Sequence, residues 1–235
     1  MNSASVDVSC ERCPTRRVCL AADLATSEMM SLHRVLRPSP PIAQRKHIYR
    51  AGDMADRHYH VRSGMFKTYA VNAAGDEYVT GFYYPGDLIG RAYTDGVRTD
   101  SALTLETGTV CTLRVRDLSE LCDIGLGPTL LQLLADREVQ AARHQLNLTQ
   151  PRANARLAGW LMQVSERISR LGWCPNRIPT PMSRTDLASY LGMTLECLSR
   201  VFTRFNKAGL IRATREHVDL LKPETIATFG YHAVP

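Results

Sequence analysis

No apolar run in the 235 residues approaches the length needed to cross a membrane, and the opening MNSASVDVSCERC has no hydrophobic signal core. A soluble, cytoplasmic protein is therefore expected. The sequence also has no P-loop, no G-x-S-x-G elbow and no H-E-x-x-H pair. The paired carboxylates Asp76 and Glu77 fall in a stretch read as a turn, where they are solvated. Hydrolase or transferase chemistry has little support, and the expectation is that the protein is not an enzyme. Net charge is missing from the first 150 residues, which hold 17 Lys/Arg and 17 Asp/Glu. The whole excess of +6 sits in residues 151–235, with 12 basic against 6 acidic residues, as a phosphate-binding module requires. At 44% hydrophobic, the chain has material for the core of one large or two modest domains.

Within the basic third, SRTDLASYLGMTLECLSRVFTRFNKAG over 183–209 reads as a helix-turn-helix. Ser183 caps a first helix over about Arg184 to Leu191, and Asp186 suits the positive end of its dipole. Gly192 supplies a left-handed stop, and Thr194 caps a second helix two residues later. In that helix Leu198, Val201, Phe202 and Phe205 share one face, leaving Glu196, Ser199, Arg200, Thr203 and Lys207 outward. An exposed Arg clamps guanine O6 and N7, a Glu accepts from cytosine N4, and a Ser serves either kind of base edge. Arg200, Glu196 and Ser199 are the candidate base readers. The plain alternative is a helical hairpin with a solvated polar face. LIRA and VDLL around the polar TREH add a short hairpin, as in a winged variant.

Three of the seven cysteines, Cys10, Cys13 and Cys19, follow C-x2-C-x5-C. In an intracellular chain of this size such a cluster points to metal or redox chemistry instead of disulfides. The spacing lets three thiolates converge from one short loop, but no fourth ligand lies close by, His33 being the nearest candidate. Spacing alone leaves zinc and an iron-sulfur cluster equally open. Arg12, Arg16 and Arg17 would lower thiol pKa values and offset the negative charge of bound thiolates. The alternative is an unstructured tail with incidental thiols.

Residues 24–36 form a short amphipathic helix with Leu24, Met29, Leu32 and Leu36 on one face, stopped by Pro38, Pro40 and Pro41. From Ile42 to Val115, short glycine-punctuated β segments imply an antiparallel roll or barrel, structural or ligand-enclosing. A helix follows from Pro128 to Gln150, with Leu131, Leu134, Glu138, Ala141, Gln145 and Leu148 on a heptad-like line. That line suits pairing with a symmetry mate or packing on its own roll. Pro151 breaks the run, and Leu157, Trp160, Leu161, Val164, Ile168 and Leu171 stripe the next helix, which Gly172 closes. The divisions expected are a cysteine-rich segment (1–23), a β-roll sensor (24–127), a dimerisation helix (128–150) and a winged helix-turn-helix (151–235).

This order of parts resembles the CRP/FNR family of bacterial transcription regulators, specifically its oxygen-sensing FNR/ANR branch. RSGMFKTYAVNAAGDEYVTGFYYPGDLIG is similar to the family's roll. GMTLECLSRVFTRFNKAGLI is similar to its recognition segment, including E-x-x-S-R at Glu196, Ser199 and Arg200, and the spacing of Cys10, Cys13 and Cys19 matches the branch's cluster loop. The resemblance implies an α+β fold: an N-terminal cyclic-nucleotide-binding-like antiparallel β-roll, a long dimerisation helix and a C-terminal winged helix-turn-helix. It implies a fourth ligand in LETGTVCTL, at Cys111, so that Cys10, Cys13, Cys19 and Cys111 would hold a [4Fe-4S] cluster, with Val18 helping to shield it from oxygen. It further implies a homodimer on palindromic double-stranded DNA with TTGAT and ATCAA half-sites, contact with RNA polymerase, and oxygen-responsive control of anaerobic genes.

Two departures stand out. Nucleotide-binding members place an Arg-Ser pair late in the roll, where this chain has Asp100-Ser101; a carboxylate there repels a phosphate, so cyclic AMP is not the expected effector. Pro151 interrupts a join through which the branch's helix usually continues. Cys122, Cys174 and Cys197 match no ligand position and are read as buried, inert thiols. One rival reading keeps the regulator and replaces its sensor with zinc, a dithiol switch, heme or a small molecule in the roll. Another is an iron-sulfur electron carrier, which would need no recognition helix.

Overall fold

The computed structural model describes residues 10–19, 21–22, 24, 29, 32, 35–90, 96–123 and 125–230. The chain divides into two compact units, Met1–Arg137 and Glu138–Pro235. In the first, the strands are β1 (Arg37–Pro38), β2 (His47–Tyr49), β3 (Arg57–Ser63), β4 (Phe66–Val71), β5 (Glu77–Tyr83), β6 (Leu88–Ile89), β7 (Ser101–Thr104) and β8 (Thr109–Arg114). They form two antiparallel sheets, ordered β1-β8-β3-β6 and β2-β7-β4-β5. This is the expected roll.

Period-two alternation divides β8 between two cores. Val110 joins Tyr49, Val61, Phe66, Ile89 and Ala102, drawn from both sheets, in the space between them. Cys111 and Leu113 point to the other face and join an outer cluster built on Cys19, Ala21, Leu32, Val35, Leu36 and Leu126. Because both faces are covered, β3 buries side chains on both: Val61 inward, His58 and His60 outward. The chain enters β4 through Gly64, whose φ of +76° and close approach to the backbone of Gly108 leave no room for a side chain. The helix expected over 24–36 falls largely outside the described residues; Met29, Leu32 and Val35 within it are helical and buried.

Helix α1 (Leu118–Asp123) leads to α2 (Gly127–Leu148), which has Pro128 in its first turn. The exposed apolar line along α2 differs from the one read in the sequence. Leu134 and Ala141 are half-buried, whereas Leu131, Ala135, Val139, Ala142 and Leu146 are exposed, at spacings of four, four, three and four. From Leu134 and Ala135 onward the two lines run parallel, one residue apart, the exposed one lying on the side of α2 away from the half-buried Leu134 and Ala141.

The second unit holds α3 (Ala153–Arg170), α4 (Arg184–Tyr190), α5 (Leu195–Lys207) and α6 (Pro223–Ala227), with a sheet ordered β10-β11-β9 from β9 (Arg177–Pro179), β10 (Ile211–Ala213) and β11 (His217–Leu220). As the pattern predicts, α3 buries Leu157, Trp160, Leu161, Val164 and Ile168. Pro151 lies in the break between α2 and α3, which is bridged by hydrogen bonds from Asn147 Nδ2 to the Arg156 carbonyl (2.9 Å) and from Arg156 Nη1 to the Gln150 carbonyl (3.3 Å).

Gly64→Ala should lower stability by about 3 kcal/mol, combining left-handed strain with overpacking. Chemical denaturation of the two proteins side by side measures it.

Candidate functional site

The helix-turn-helix forms where its caps place it. Ser183 Oγ accepts from Asp186 N (2.9 Å) and Asp186 Oδ2 accepts from Ser183 N (3.4 Å), closing a capping box at the start of α4. Gly192, at φ +60°, turns the chain, and Thr194 Oγ1 accepts from Cys197 N (3.2 Å) to begin α5. Leu198, Val201, Phe202 and Phe205 form the buried face of α5. The Arg184 guanidinium lies 3.7 Å from the centre of the Phe202 ring and holds α4 against α5.

Glu196, Ser199 and Arg200 all stand on the exposed face of α5. Ser199 Oγ donates to the Leu195 carbonyl (2.8 Å) and Arg200 Nε to the Glu196 carbonyl (3.4 Å). In this rotamer Ser199 can meet a base only as an acceptor, while the terminal nitrogens of Arg200 can extend from the helix. The wing is present as β10 paired with β11, Arg212 opposite Asp219, with Arg215 exposed in the turn between them. Arg204 Nη1 donates to Asn154 Oδ1 (3.1 Å), tying α5 to α3.

The cysteine loop consists of two short 3-10 turns, Cys10–Arg12 and Arg16–Val18. Thr15 is buried at its centre, with its Oγ1 3.2 Å from Cys13 Sγ. Arg16 donates to the Ala21 and Leu24 carbonyls, both at 3.4 Å, and so ties the loop to the segment on its C-terminal side. Val18 lies so close to Gly86 that a Cβ there would stand 2.5 Å from its Cγ2.

Cys19 is buried, and Cys10 and Cys111 pack against the same outer apolar cluster. Burial, reinforced by Cys19 and Cys13, pushes the Cys10 thiol up to about 11. Burial pushes Cys111 up to about 12, with added repulsion from Cys19, Cys13 and Cys10, so Cys111 feels all three thiols of the loop. Arg62 opposes both shifts. Among the described residues, no three His, Cys, Asp or Glu side chains stand at metal-binding spacing. The four thiols thus share one neighbourhood without being drawn in to ligation distance. Soft sulfur donors in an apolar shell, with guanidinium charge beside them, form a donor set that fits an iron-sulfur cluster or zinc.

Burial was misread for the other three cysteines. Cys122 and Cys174 are exposed and Cys197 is half-buried, because they lie on the outer side of α1, in the loop after α3 and in the first turn of α5. Sequence reasoning also passed over β3, where His58, His60 and Arg62 alternate onto the face that carries Cys111. Their period of two in HYHVRS was the available signal.

Between the two sheets, Asp100 and Ser101 are both buried. Asp100 Oδ1 accepts from the Tyr49 hydroxyl (3.2 Å) and Ser101 Oγ from the Ala51 N–H (3.0 Å). Arg98 stacks its guanidinium 4.4 Å from the Tyr49 ring centre and donates to the Arg57 carbonyl. Side chains of the roll itself therefore occupy this polar interior.

The Crp-like helix-turn-helix domain family matches residues 155–229, and the cyclic nucleotide-binding domain family matches residues 41–124. The fumarate and nitrate reduction regulatory protein of Salmonella typhimurium is 30% identical over 237 residues, covering 99% of this chain and 94% of that protein. The transcriptional activator protein Anr of Pseudomonas protegens is 34% identical over 221 residues, covering 91% and 89%. The chain belongs to the FNR/ANR branch of the CRP/FNR family. It is a DNA-binding transcription regulator and not an enzyme. The solved structure of FixK2 from Bradyrhizobium japonicum shares the CRP/FNR fold, with a TM-score of 0.74 at 22% identity over 85% of this chain and 100% of that one. Among the described residues, no helix is long and apolar enough to cross a membrane.

In this CRP/FNR protein the late part of α2 stacks on the reader: the His144 ring lies 3.9 Å from that of Tyr190, nearly parallel at 5°. Burial pushes the His144 pKa from its ordinary 6.5 down to about 4. The native state holds the neutral ring, whereas the unfolded chain takes up a proton below about 6.5, so stability falls as the pH drops from that value toward 4. His144→Phe keeps the stack and removes the titration. Denaturation at about pH 7 and about pH 5 should show the variant losing less stability, by up to about 2 kcal/mol.

Proposed function

We propose that this regulator holds a [4Fe-4S] cluster on Cys10, Cys13, Cys19 and Cys111 under anaerobic conditions, dimerises, and binds palindromic TTGAT-N4-ATCAA-like promoter sites to control anaerobic gene expression. The observation that carries this reading is the company of Cys111: a half-buried cysteine of the roll packed, like Cys10 of the N-terminal loop, against the cluster that buries Cys19. When bound, the cluster supplies oxygen-labile iron-sulfur chemistry. The chain's part is to tie the loop to β8 through the four thiolates, to exclude water with Leu113 and Leu126, and to offset charge with Arg62 and Arg16.

Residues 1–23 serve as the cluster segment, 24–127 as the sensor, 128–150 as the dimerisation helix and 151–235 as the DNA reader. The exposed line Leu131, Ala135, Val139, Ala142 and Leu146 supplies the apolar seam of the homodimer. Two copies present two α5 helices about one turn of DNA apart, which calls for a palindrome. Arg200 reads guanine, Glu196 the cytosine edge, and Ser199 a neighbouring base. Bound there, the dimer contacts RNA polymerase, in a cytoplasmic setting. With Asp100 engaged by Tyr49 where a phosphate would sit, cyclic AMP is not the effector.

Cys111→Ser should give folded protein that lacks visible absorbance after oxygen-free purification; a retained brown chromophore excludes Cys111 as a ligand. Iron and acid-labile sulfide analysis of the parent protein separates this reading from zinc or a dithiol switch. Arg200→Ala should cost about 1–3 kcal/mol of discrimination at one base pair, read by competition binding with single-substitution duplexes. Uniform weakening across all sequences would remove Arg200 from base reading.

A further inference from the structure

His60 sits on β3 directly opposite Cys111 on β8. Directly paired residues of antiparallel strands point to the same face with Cβ atoms about 4.5–5.5 Å apart, so the imidazole and the thiol are neighbours on the outer face of the sheet. His60 is 1% exposed, and neither ring nitrogen has a hydrogen-bond partner among the described residues. The backbone of Val18, just before Cys19, and that of Gly86 lie beside the ring without meeting hydrogen-bond geometry. The contrast with His58 is direct. Two residues away on the same face, its Nδ1 meets the Gly90 carbonyl at 2.8 Å.

Buried polar groups are nearly always partnered, and a Leu would fill this space without leaving a polar group unmet. Imidazole in either protonation state keeps at least one N–H. Apart from the Val18 and Gly86 backbone, which does not meet hydrogen-bond geometry, the acceptor that shares this face with His60 is the Cys111 sulfur: a neutral thiol accepts weakly, whereas a ligating thiolate is a charge-assisted acceptor.

We propose that His60 donates a hydrogen bond to the Cys111 sulfur, or to a cluster sulfide beside it, when the site is filled. It is thus a positioning residue that sets how readily the bound group is oxidised. The proposal rests on the cluster reading above. Hydrogen bonds to sulfur raise the reduction potential of iron-sulfur groups, and outer partners of ligands tune the metal they surround. No bond to iron is made or broken by His60.

The test uses the full chain, purified without oxygen and reconstituted with iron and sulfide, as the parent protein, His60→Leu and His60→Gln. Iron and sulfide per chain, the midpoint potential and the rate of bleaching in air are measured on each, with circular dichroism to confirm the fold. All three should hold equal iron. The Leu variant should have a lower potential and bleach about tenfold faster, the change expected from one charge-assisted hydrogen bond. Gln, which keeps a donor at the end of its side chain, should stay close to the parent.

A Leu variant equal to the parent in potential and bleaching overturns the proposal. So does a Gln variant as fast as Leu, which makes the effect steric, or a folded Leu variant that has lost its iron, which makes His60 a ligand. A parent protein that takes up no iron removes the cluster reading and, with it, the role of His60.

Discussion

Burial of the β1-β8-β3-β6 sheet on both faces is the constraint on which the arrangement of this regulator depends. One face closes the roll with Val61, Ile89 and Val110; the other is covered by the cluster of Cys19, Leu32, Val35 and Leu36. Register is then strongly specified, because a slip of one residue exchanges the two faces. On β8 such a slip would put Val110 under the cysteine loop and carry Cys111 into the roll. The packing that folds the sheet is therefore also what brings the late cysteine to the early ones.

The two polar tasks of the chain are solved differently. On α5 the candidate base readers Glu196, Ser199 and Arg200 are exposed, held by a helix whose opposite face is buried and whose start is fixed by Thr194. They need only solvent and reach. The cysteines instead lie partly or wholly under cover, and the Cys10 and Cys111 thiols stay protonated near neutral pH because burial and repulsion from neighbouring thiols disfavour charge. A metal group bound there would take these thiols as thiolates and release their protons, against the same desolvation that accompanies their packing on the outer cluster.

Much of this was legible in the sequence. The caps at Ser183 and Thr194, the turn at Gly192 and the stripe Leu198, Val201, Phe202, Phe205 are local signals with local causes, and the helix-turn-helix obeys them closely. The roll was readable as a texture of short strands, but its pairing order was not, since long-range ladders leave no mark at a single position. The proximity of Cys111 to the loop came only from resemblance; no spacing rule joins residues nearly a hundred positions apart. Exposure of Cys122 and Cys174 went unseen because a lone thiol on a short element carries no periodicity. On α2 the line read in the sequence runs one residue off the exposed apolar one, because burial of Leu134 and Ala141 is set by tertiary packing that leaves no local mark, and His60 was passed over because its place opposite Cys111 exists only across the strand pair.

The contact of Val18 with Gly86 has one more consequence. The seat for the loop is made by missing atoms: a hollow in the turn between β5 and β6 exists because residue 86 has no side chain. A hollow offers no bond to gain and none to lose, only a depth to which the visitor can descend. A side chain at residue 86 would push back Val18, the residue next to Cys19. Room for the loop is therefore set in part by a position that carries no chemistry of its own.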